Sequence, residues 1–164
     1  MLFRSGWQMS GIFSLQSGYP FTPVESTDIS RTGTNGTGNG IDRPDWNPSF
    51  NGKVILGGPD KYFDPNAFVL QSGGFVGNAG RNILTGPGLA NLDLSFLKGT
   101  PIHKLGESGK LEFRAEIFNL LNHTNFGMPN NTTFNGTNRN AVAGQILTTS
   151  TKSRQIQLAL RLLF

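Results

Sequence analysis

Apolar and polar residues alternate along the last eleven residues of the chain, 154–164. One face of this segment carries Ile156, Leu158, Leu160, Leu162 and Phe164. The other face carries Gln155, Gln157, Ala159, Arg161 and Leu163. A period of two is typical of a β-strand, whereas a helix would place Gln157 and Arg161 among the leucines. The pattern therefore predicts a strand with one wholly apolar face.

The length of this strand suits two environments. At ~3.3 Å per residue and a tilt of ~45°, it spans roughly 26 Å along a membrane normal. The apolar band of an outer-membrane barrel is ~25 Å tall. A strand of a soluble β-sandwich shows the same alternation, so this segment alone leaves both interpretations open.

Three further segments alternate in the same way, at residues 6–17, 90–98 and 110–121. In the first of them, Ile12 is the one apolar residue on the polar face. The third segment also fits a helix, with an apolar stripe made of Phe113, Ile117, Leu120 and Leu121. We expect a strand there because the neighbouring segments are strands of the same pattern.

Two long polar segments separate the predicted strands, at residues 18–88 and 122–153. The first is rich in Gly, Asn, Asp, Thr and Pro, which favours turns over sustained strands or helices. A much shorter segment, 99–109, joins the two middle strands. If the carboxyl end is periplasmic, both long segments are extracellular and the short one is periplasmic, as in bacterial outer-membrane barrels.

The pattern therefore predicts an all-β fold, made of the last antiparallel strands of a transmembrane outer-membrane β-barrel with long extracellular loops. Aromatic residues fall near the expected membrane boundaries. Those on the periplasmic side are Trp7, Phe96 and Phe164, and those on the outer side are Tyr19, Phe21 and Phe126.

Composition agrees with a membrane strand protein. Charged residues make up 15% of the chain, below the ~25% usual for soluble domains. The chain has no cysteine, which excludes disulfides and thiolate metal sites. It has no run of about 18 apolar residues, which excludes a transmembrane helix. The 14 basic residues are scattered, so the net charge of +4 does not predict nucleic-acid binding.

The predicted strands do not form a complete barrel. A small barrel needs ~8 strands, and four strands would leave unpaired backbone groups in lipid. The start of the chain, MLFRSGWQMSG, has no apolar core long enough for a signal peptide. We therefore expect a fragment, the tail of a longer chain, in which these strands alone leave the barrel open.

Charged residues lie on the polar faces of the predicted strands, at Asp93, Glu112, Arg114, Glu116 and Arg161. Paired carboxylates can perform acid–base catalysis. A lumen-facing ladder of opposite charges paired across strands is the simpler interpretation, since such pairs stabilise sheets.

The first long loop contains aromatic residues beside charged ones, at Arg43, Asp45, Trp46, Tyr62, Phe63 and Asp64. Loops commonly carry binding residues, so these side chains are candidates for contact with an extracellular ligand. The alternative is that they pack the loop onto itself.

The sequence predicts no catalytic, metal or cofactor site, and the chain is not expected to be an enzyme. His103 and His123 lie in different segments, and no Asp or Glu clusters with them. The glycines of residues 33–40 lack the strand and helix that flank a phosphate-binding loop.

Five segments of the chain together resemble the carboxyl-terminal part of TonB-dependent receptors. They are GWQMSGIFSLQSGYPFTP, YFDPNAF, GNAGRNILTGPGLANLDLSFLK, LEFRAEIFNLLNHTNFGMPN and RQIQLALRLLF. The likeness is to the Oar-like group, which carries an amino-terminal carboxypeptidase-regulatory-like domain and is abundant in Acidobacteria. It implies a barrel of about 22 strands filled by a plug domain. It also implies import of scarce or large nutrients with energy passed on by TonB.

The resemblance also implies partners. Outer-membrane lipid would surround the strands, and the barrel-assembly machinery would read the terminal strand. The residues of that insertion signal are Phe164, Leu162, Leu160 and Leu158. The TonB complex would act only through the plug, which has no counterpart here, so we expect no transport from this segment alone. The extracellular ligand is not identified by the sequence.

Two other classes of protein remain open on the sequence. One is a stand-alone or oligomeric surface β-protein, such as an adhesin or a carbohydrate-binding module. The other is a soluble secreted enzyme or binding domain, which predicts a compact sandwich with no lipid-facing band.

Overall fold

The computed structural model describes residues 5–33, 42–106 and 108–164, which form strands joined by turns and irregular segments, with almost no helix. Within those residues the strands are β1 (Trp7–Gln16), β2 (Pro20–Phe21), β3 (Val24–Glu25), β4 (Asp45–Trp46), β5 (Phe68–Val69), β6 (Leu84–Thr85), β7 (Leu89–Pro101), β8 (Lys110–Phe118), β9 (Thr132–Asn135), β10 (Asn138–Arg139) and β11 (Gln155–Leu163). Two 3₁₀ helices of three residues each, Pro65–Ala67 and His103–Leu105, complete the elements of this part of the chain. The predicted all-β fold is confirmed.

The four long strands form one antiparallel sheet in the order β1-β7-β8-β11. Each lies where the alternation predicts a strand, with ends that differ by up to three residues. The segment that also fits a helix is the strand β8. Just after it, Asn119 adopts a left-handed backbone conformation with φ of 52°, which ends the strand before the helical stripe is complete.

The chain divides into two compact units. The sheet unit comprises Met1–Gln16, Leu89–Asn125 and Thr151–Phe164, and it contains the four long strands. The loop unit comprises Ser17–Gly88 and Phe126–Ser150, and it contains the seven short strands. No helix in the described ranges is both long and apolar enough to cross a membrane.

The sheet unit is a single layer. Its outer strands, β1 and β11, each have one hydrogen-bonded neighbour among the described strands, so both edges of the sheet are open. The sheet therefore has the antiparallel pairing of a barrel wall without the closure of a barrel, in agreement with the predicted fold class.

The loop unit is a packed structure, although the sequence predicts irregular loops without sustained strands. Its strands pair as β2 with β6, as β4 with β5, and as β10-β9-β3, where β3 runs parallel to β9. The buried apolar residues are Phe21, Tyr62, Phe63, Ala67, Phe68, Ala79, Leu84 and Ile146. The two long segments thus bury a hydrophobic core of their own.

Two of the predicted membrane-boundary aromatics are in this core, and that prediction is wrong for them. Phe21 is buried, with its ring centroid 5.8 Å from that of Phe63. Phe126 is partly buried and packs against the same core. Both residues belong to the loop unit, whose folding removes their apolar side chains from water.

Candidate membrane-facing sheet and loop unit

The registers of the sheet place apolar residues of all four strands on one face. One row of directly paired residues runs through Met9, Phe96, Ala115 and Leu158. The next such row runs through Gly11, Leu94, Ile117 and Ile156. Because a slip of one residue would move a whole strand to the other face, this agreement across three pairings defines one continuous apolar surface.

This apolar surface is exposed. Leu15 is 74% exposed, Met9 71%, Leu160 69% and Leu158 68%. Soluble monomers rarely expose contiguous apolar patches of this kind. A sheet with one such face and one polar face is the wall expected of a barrel whose outer surface contacts lipid.

Lys98 is a charged exception on the apolar face, and the alternation of residues along the chain does not predict how its charge is accommodated. It lies directly opposite Trp7, and its ammonium group is 5.1 Å from the centroid of the indole ring. The ammonium also donates a hydrogen bond to the backbone carbonyl of Ser5, beyond the end of β1. The aliphatic stem thus covers apolar surface while the charge reaches the end of the sheet, as lysines near membrane boundaries do.

The predicted insertion signal lies on and just beyond β11. Leu158, Leu160 and Leu162 are on the apolar face and exposed. Phe164 follows the last residue of the strand and is 90% exposed. The role of these side chains as a signal stays a prediction.

The polar face carries the five charged residues that were predicted to face the lumen, but their pairing differs from the prediction. The ion pairs run along β8 itself, with Lys110 2.6 Å from Glu112 and Arg114 2.7 Å from Glu116. Residues two apart on a strand share a face, and these long side chains bridge that spacing. Of the predicted cross-strand pairs, Arg161 lies directly opposite Glu112 in the register.

Asp93 is not part of the charge ladder. Its Oδ1 accepts hydrogen bonds from the Asn91 side chain and from the backbone N–H of Asn119, both at 2.8 Å. None of the ion pairs within the described residues includes it. Asp93 therefore bonds the residue that directly follows β8, and the expectation that it joins cross-strand charge pairs is wrong.

Two asparagines of the motif FNLLNHTNFG join the strand ends at one end of the sheet, and we call Asn119 and Asn125 the asparagine clamp. The Asn119 amide donates to the carbonyls of His123 (3.0 Å) and Lys152 (3.1 Å). Its Oδ1 accepts from the N–H of His123 at 3.0 Å. The chain leaving β8 is thereby tied to the chain approaching β11.

Asn125 is the second half of the clamp, and both asparagines are buried. Its amide oxygen accepts from the N–H of Ala90 at 2.8 Å, and its amide nitrogen donates to the carbonyl of Ala90 at 3.1 Å. The same nitrogen donates to Thr151 Oγ1 at 3.0 Å. Asn125 thus acts as a short strand partner for β7 while also bonding the segment before β11. The sequence marks this motif only through its resemblance to a family and not through a pattern of its own.

The aromatic residues that were predicted to contact a ligand mainly build the loop unit. Phe63 is 0% exposed, so its ring has no surface to offer a ligand. Tyr62 is also buried and donates its hydroxyl to the Thr85 carbonyl at 3.0 Å. Trp46 stacks on Phe68 with ring centroids 4.9 Å apart and remains 38% exposed.

The charged members of that set also bond within the loop unit. Arg43 donates a hydrogen bond to the Ala79 carbonyl at 2.7 Å. Asp45 accepts one from the Asn78 N–H at 2.7 Å. Asp64 accepts one from the Asn66 N–H at 3.0 Å and forms an ion pair with Lys61 at 3.0 Å. Five of the six candidate ligand-contacting residues therefore pack or bond within the loop unit, which was the alternative interpretation. Trp46 is the one residue of the six with an exposed side chain.

No group of three or more His, Cys, Asp or Glu residues in the described part of the chain is arranged to hold a metal ion. His103 lies in the 3₁₀ helix between β7 and β8, and His123 bonds within the asparagine clamp. The exposed apolar face of the sheet is that of a barrel wall in a membrane. The loop unit is a folded structure formed by the two long connections between the strands.

Comparison with known families agrees with this geometry. The sequence profile described as "Outer membrane beta barrel domain" matches residues 2–157, nearly the whole chain. No curated protein and no solved structure gives a significant match. The protein therefore belongs to the outer membrane beta barrel domain family, and it resides in the outer membrane.

Proposed function

We propose that this chain is the carboxyl-terminal barrel segment of a TonB-dependent outer-membrane receptor that imports a nutrient. The observation that carries the proposal is the sheet β1-β7-β8-β11 with its continuous exposed apolar face. The family match supports a barrel, and the sequence resemblance described above supports the receptor assignment within barrels.

The connectivity of the sheet supports the proposed orientation. Because the strands are antiparallel neighbours, the connections β1–β7 and β8–β11 join strand ends at the same end of the sheet. Both are long, whereas β7 and β8 are joined by residues 102–109. Long connections outside and short ones in the periplasm are the rule for bacterial barrels. We therefore place the loop unit outside the cell, where Trp46 is its candidate for ligand contact.

The proposed partners follow from the two faces and the last strand. Lipid contacts the apolar face, the polar face lines the lumen, and the barrel-assembly machinery recognises β11 with Phe164. In such receptors the plug domain contacts TonB, so import is a property that we assign to the whole receptor. We propose that this segment forms part of the barrel wall and of the extracellular loops, and that it has neither catalytic activity nor a cofactor.

The experiment that tests the proposal is an immunoblot of fractionated membranes from the source cell. The antibody is raised against residues 126–164, and each sample is run with and without boiling. We expect a band in the outer membrane, far above the 17.8 kDa of this chain, whose migration changes on boiling. Folded barrels resist detergent until heated, because every backbone hydrogen bond of the wall is satisfied within it.

Two results would contradict the proposal. A heat-modifiable band near 17.8 kDa in the outer membrane would favour a small oligomeric surface protein, such as an adhesin. A band in the soluble fraction without detergent would remove the membrane role altogether. If the large band is found, a second experiment tests import. We expect that deletion of the gene for TonB abolishes uptake of the nutrient by the cell.

A further inference from the structure

One buried acidic side chain of the loop unit has no role in the barrel wall or in the proposed ligand surface. Glu25 ends the short strand β3, and its backbone N–H donates to the Asp42 carbonyl at 2.8 Å. The neighbouring strand, β9, holds it in place through the parallel pairing of β3 and β9. The Glu25 side chain is 0% exposed.

Neither carboxyl oxygen of Glu25 has a hydrogen-bond partner among the described residues. The side chains around it are Gln71, Asp42 and Asp45. The Oε1 atom of Gln71 is also buried and without a hydrogen-bond partner in the same part of the chain. No ion pair within the described ranges includes Glu25.

The neighbouring Asp42 accepts the hydrogen bonds of this pocket. It accepts from the N–H of Ser30 at 2.6 Å, from the Ser30 hydroxyl at 2.7 Å and from the Gln71 amide at 3.2 Å. Within the described residues these three hydrogen bonds go to Asp42, and neither carboxyl oxygen of Glu25 receives one. An ionised Glu25 would be a buried charge without a hydrogen bond, next to the like charge of Asp42. Burial, the missing hydrogen bond and the repulsion each disfavour this state.

A proton removes this conflict. A neutral carboxylic acid has one O–H to donate, and Gln71 Oε1 is an unused acceptor beside it. Burial raises the pKa of Glu25 to about 7; the Gln71 side chain opposes this effect, and the charges of Asp42 and Asp45 add to it. Asp42 and Asp45 are the charged groups that act on Glu25 from the packed elements.

We propose that Glu25 is a proton-operated lock of the loop unit, neutral at mildly acidic pH and ionised at alkaline pH. In the neutral form the pocket closes around the acid. In the ionised form the buried charge drives β3 and its neighbours apart or draws water into the pocket. The extracellular part of the protein would thereby loosen as the surrounding medium becomes alkaline.

The direction of the pH dependence follows from linkage. The pKa of Glu25 is raised in the folded state from an ordinary value of 4.5 to about 7. The folded state therefore binds more protons than the unfolded state between these values, and stability falls as pH rises through that window. Below about pH 4.5 the contribution is fully favourable, and above about pH 7 the loss is complete.

The test is a thermal melt of the full-length protein in detergent, followed by the fluorescence of Trp46. Trp46 stacks on Phe68 inside the loop unit, so the difference in fluorescence between the protein and its Trp46→Phe variant reports on that unit alone. We expect the melting midpoint to fall by about 5 °C or more from roughly pH 5 to pH 8. Glu25→Gln, which keeps the shape and removes the titration, should give a flat profile and a higher midpoint at pH 8.

The matched control is Asp60→Asn, which changes an exposed carboxyl of the same unit and should keep the pH-dependent fall. A Glu25→Gln variant with the original pH dependence would overturn the proposal. Full recovery of the midpoint at pH 8 by millimolar Ca²⁺ would also overturn it, since the pocket would then hold a cation in place of a proton.

A second measurement needs no variant. An infrared titration of the unmodified protein should show the band of a protonated carboxyl that disappears as the pH rises through about 7. If every protonated carboxyl band disappears below about pH 5, Glu25 is an ordinary acid and the lock does not exist.

Discussion

At the residue scale, each position of the main sheet is defined by the face on which it lies. Gln157 and Leu158 are adjacent in sequence, but Gln157 lies opposite Glu116 on the polar face and Leu158 lies opposite Ala115 on the apolar face. The two positions therefore differ in environment and in little else. They provide a direct test of which face contacts lipid.

Leu158→Arg should sharply reduce the amount of folded barrel in the outer membrane. An arginine on the lipid face near mid-membrane costs about 2–4 kcal/mol. Gln157→Arg should be tolerated, since the new charge faces Glu116 across the sheet. The measurement is the heat-modifiable fraction of each variant on a gel. Equal yields for the two variants would mean that the apolar face does not contact lipid.

The faces of the long strands are predictable from sequence because a period of two is a local property. The packing of the loop unit is not, because its contacts join residues that are far apart in the chain. Phe21 and Phe63 meet across more than forty positions, and nothing in the local pattern around either one indicates the other. The buried state of Glu25 depends on Asp42 and Gln71 in the same way, so sequence reasoning missed it.

At the element scale, the asparagine clamp determines where two strands end. Asn125 bonds both backbone groups of Ala90 at the start of β7 and the hydroxyl of Thr151 before β11. The side-chain amide of Asn125 thus makes the two hydrogen bonds that the backbone of a residue on a neighbouring strand would make. The period-two pattern predicts the strands but not their ends, because the ends are set by these side-chain bonds and by the positive φ of Asn119.

Asn125→Ala should destabilise the sheet by about 2 kcal/mol, because it removes several hydrogen bonds and leaves two partly buried backbone groups of Ala90 without these bonds. Thr151→Val is the matched control, which removes one acceptor of similar shape and should cost about 1 kcal/mol. Urea unfolding of the barrel in detergent measures both. A smaller loss for Asn125→Ala than for Thr151→Val would contradict the clamp.

At the scale of the whole molecule, the protein combines a wall of four strands with a folded unit built from its two long connections. The sequence predicts four strands and two long polar connections, and an antiparallel arrangement brings both connections to the same end of the sheet. It does not predict that the connections share a core. That core makes the candidate ligand residues mainly structural, with Trp46 as the exposed exception.

The last strand offers a test of assembly. Phe164→Ala should lower the yield of inserted barrel several-fold while leaving the stability of the inserted fraction unchanged, if the exposed ring is read during insertion. Leu163→Ala changes the preceding residue, on the opposite face, and should have little effect on yield. The measurement is the outer-membrane amount of each variant at equal expression. An unchanged yield for Phe164→Ala would remove the signal interpretation.

The open edges of the sheet have a consequence for the time before insertion. Until they are paired, β1 and β11 present rows of free N–H and C=O groups beside an apolar surface, which is the arrangement that seeds cross-β aggregation. Stacking a second copy on the polar face would strip water from its ion pairs, Lys110 with Glu112 and Arg114 with Glu116, but the leucine face has no such protection. The newly made protein should therefore depend on a holding chaperone on its way to the membrane, and a shortage of that chaperone should convert it into fibrils.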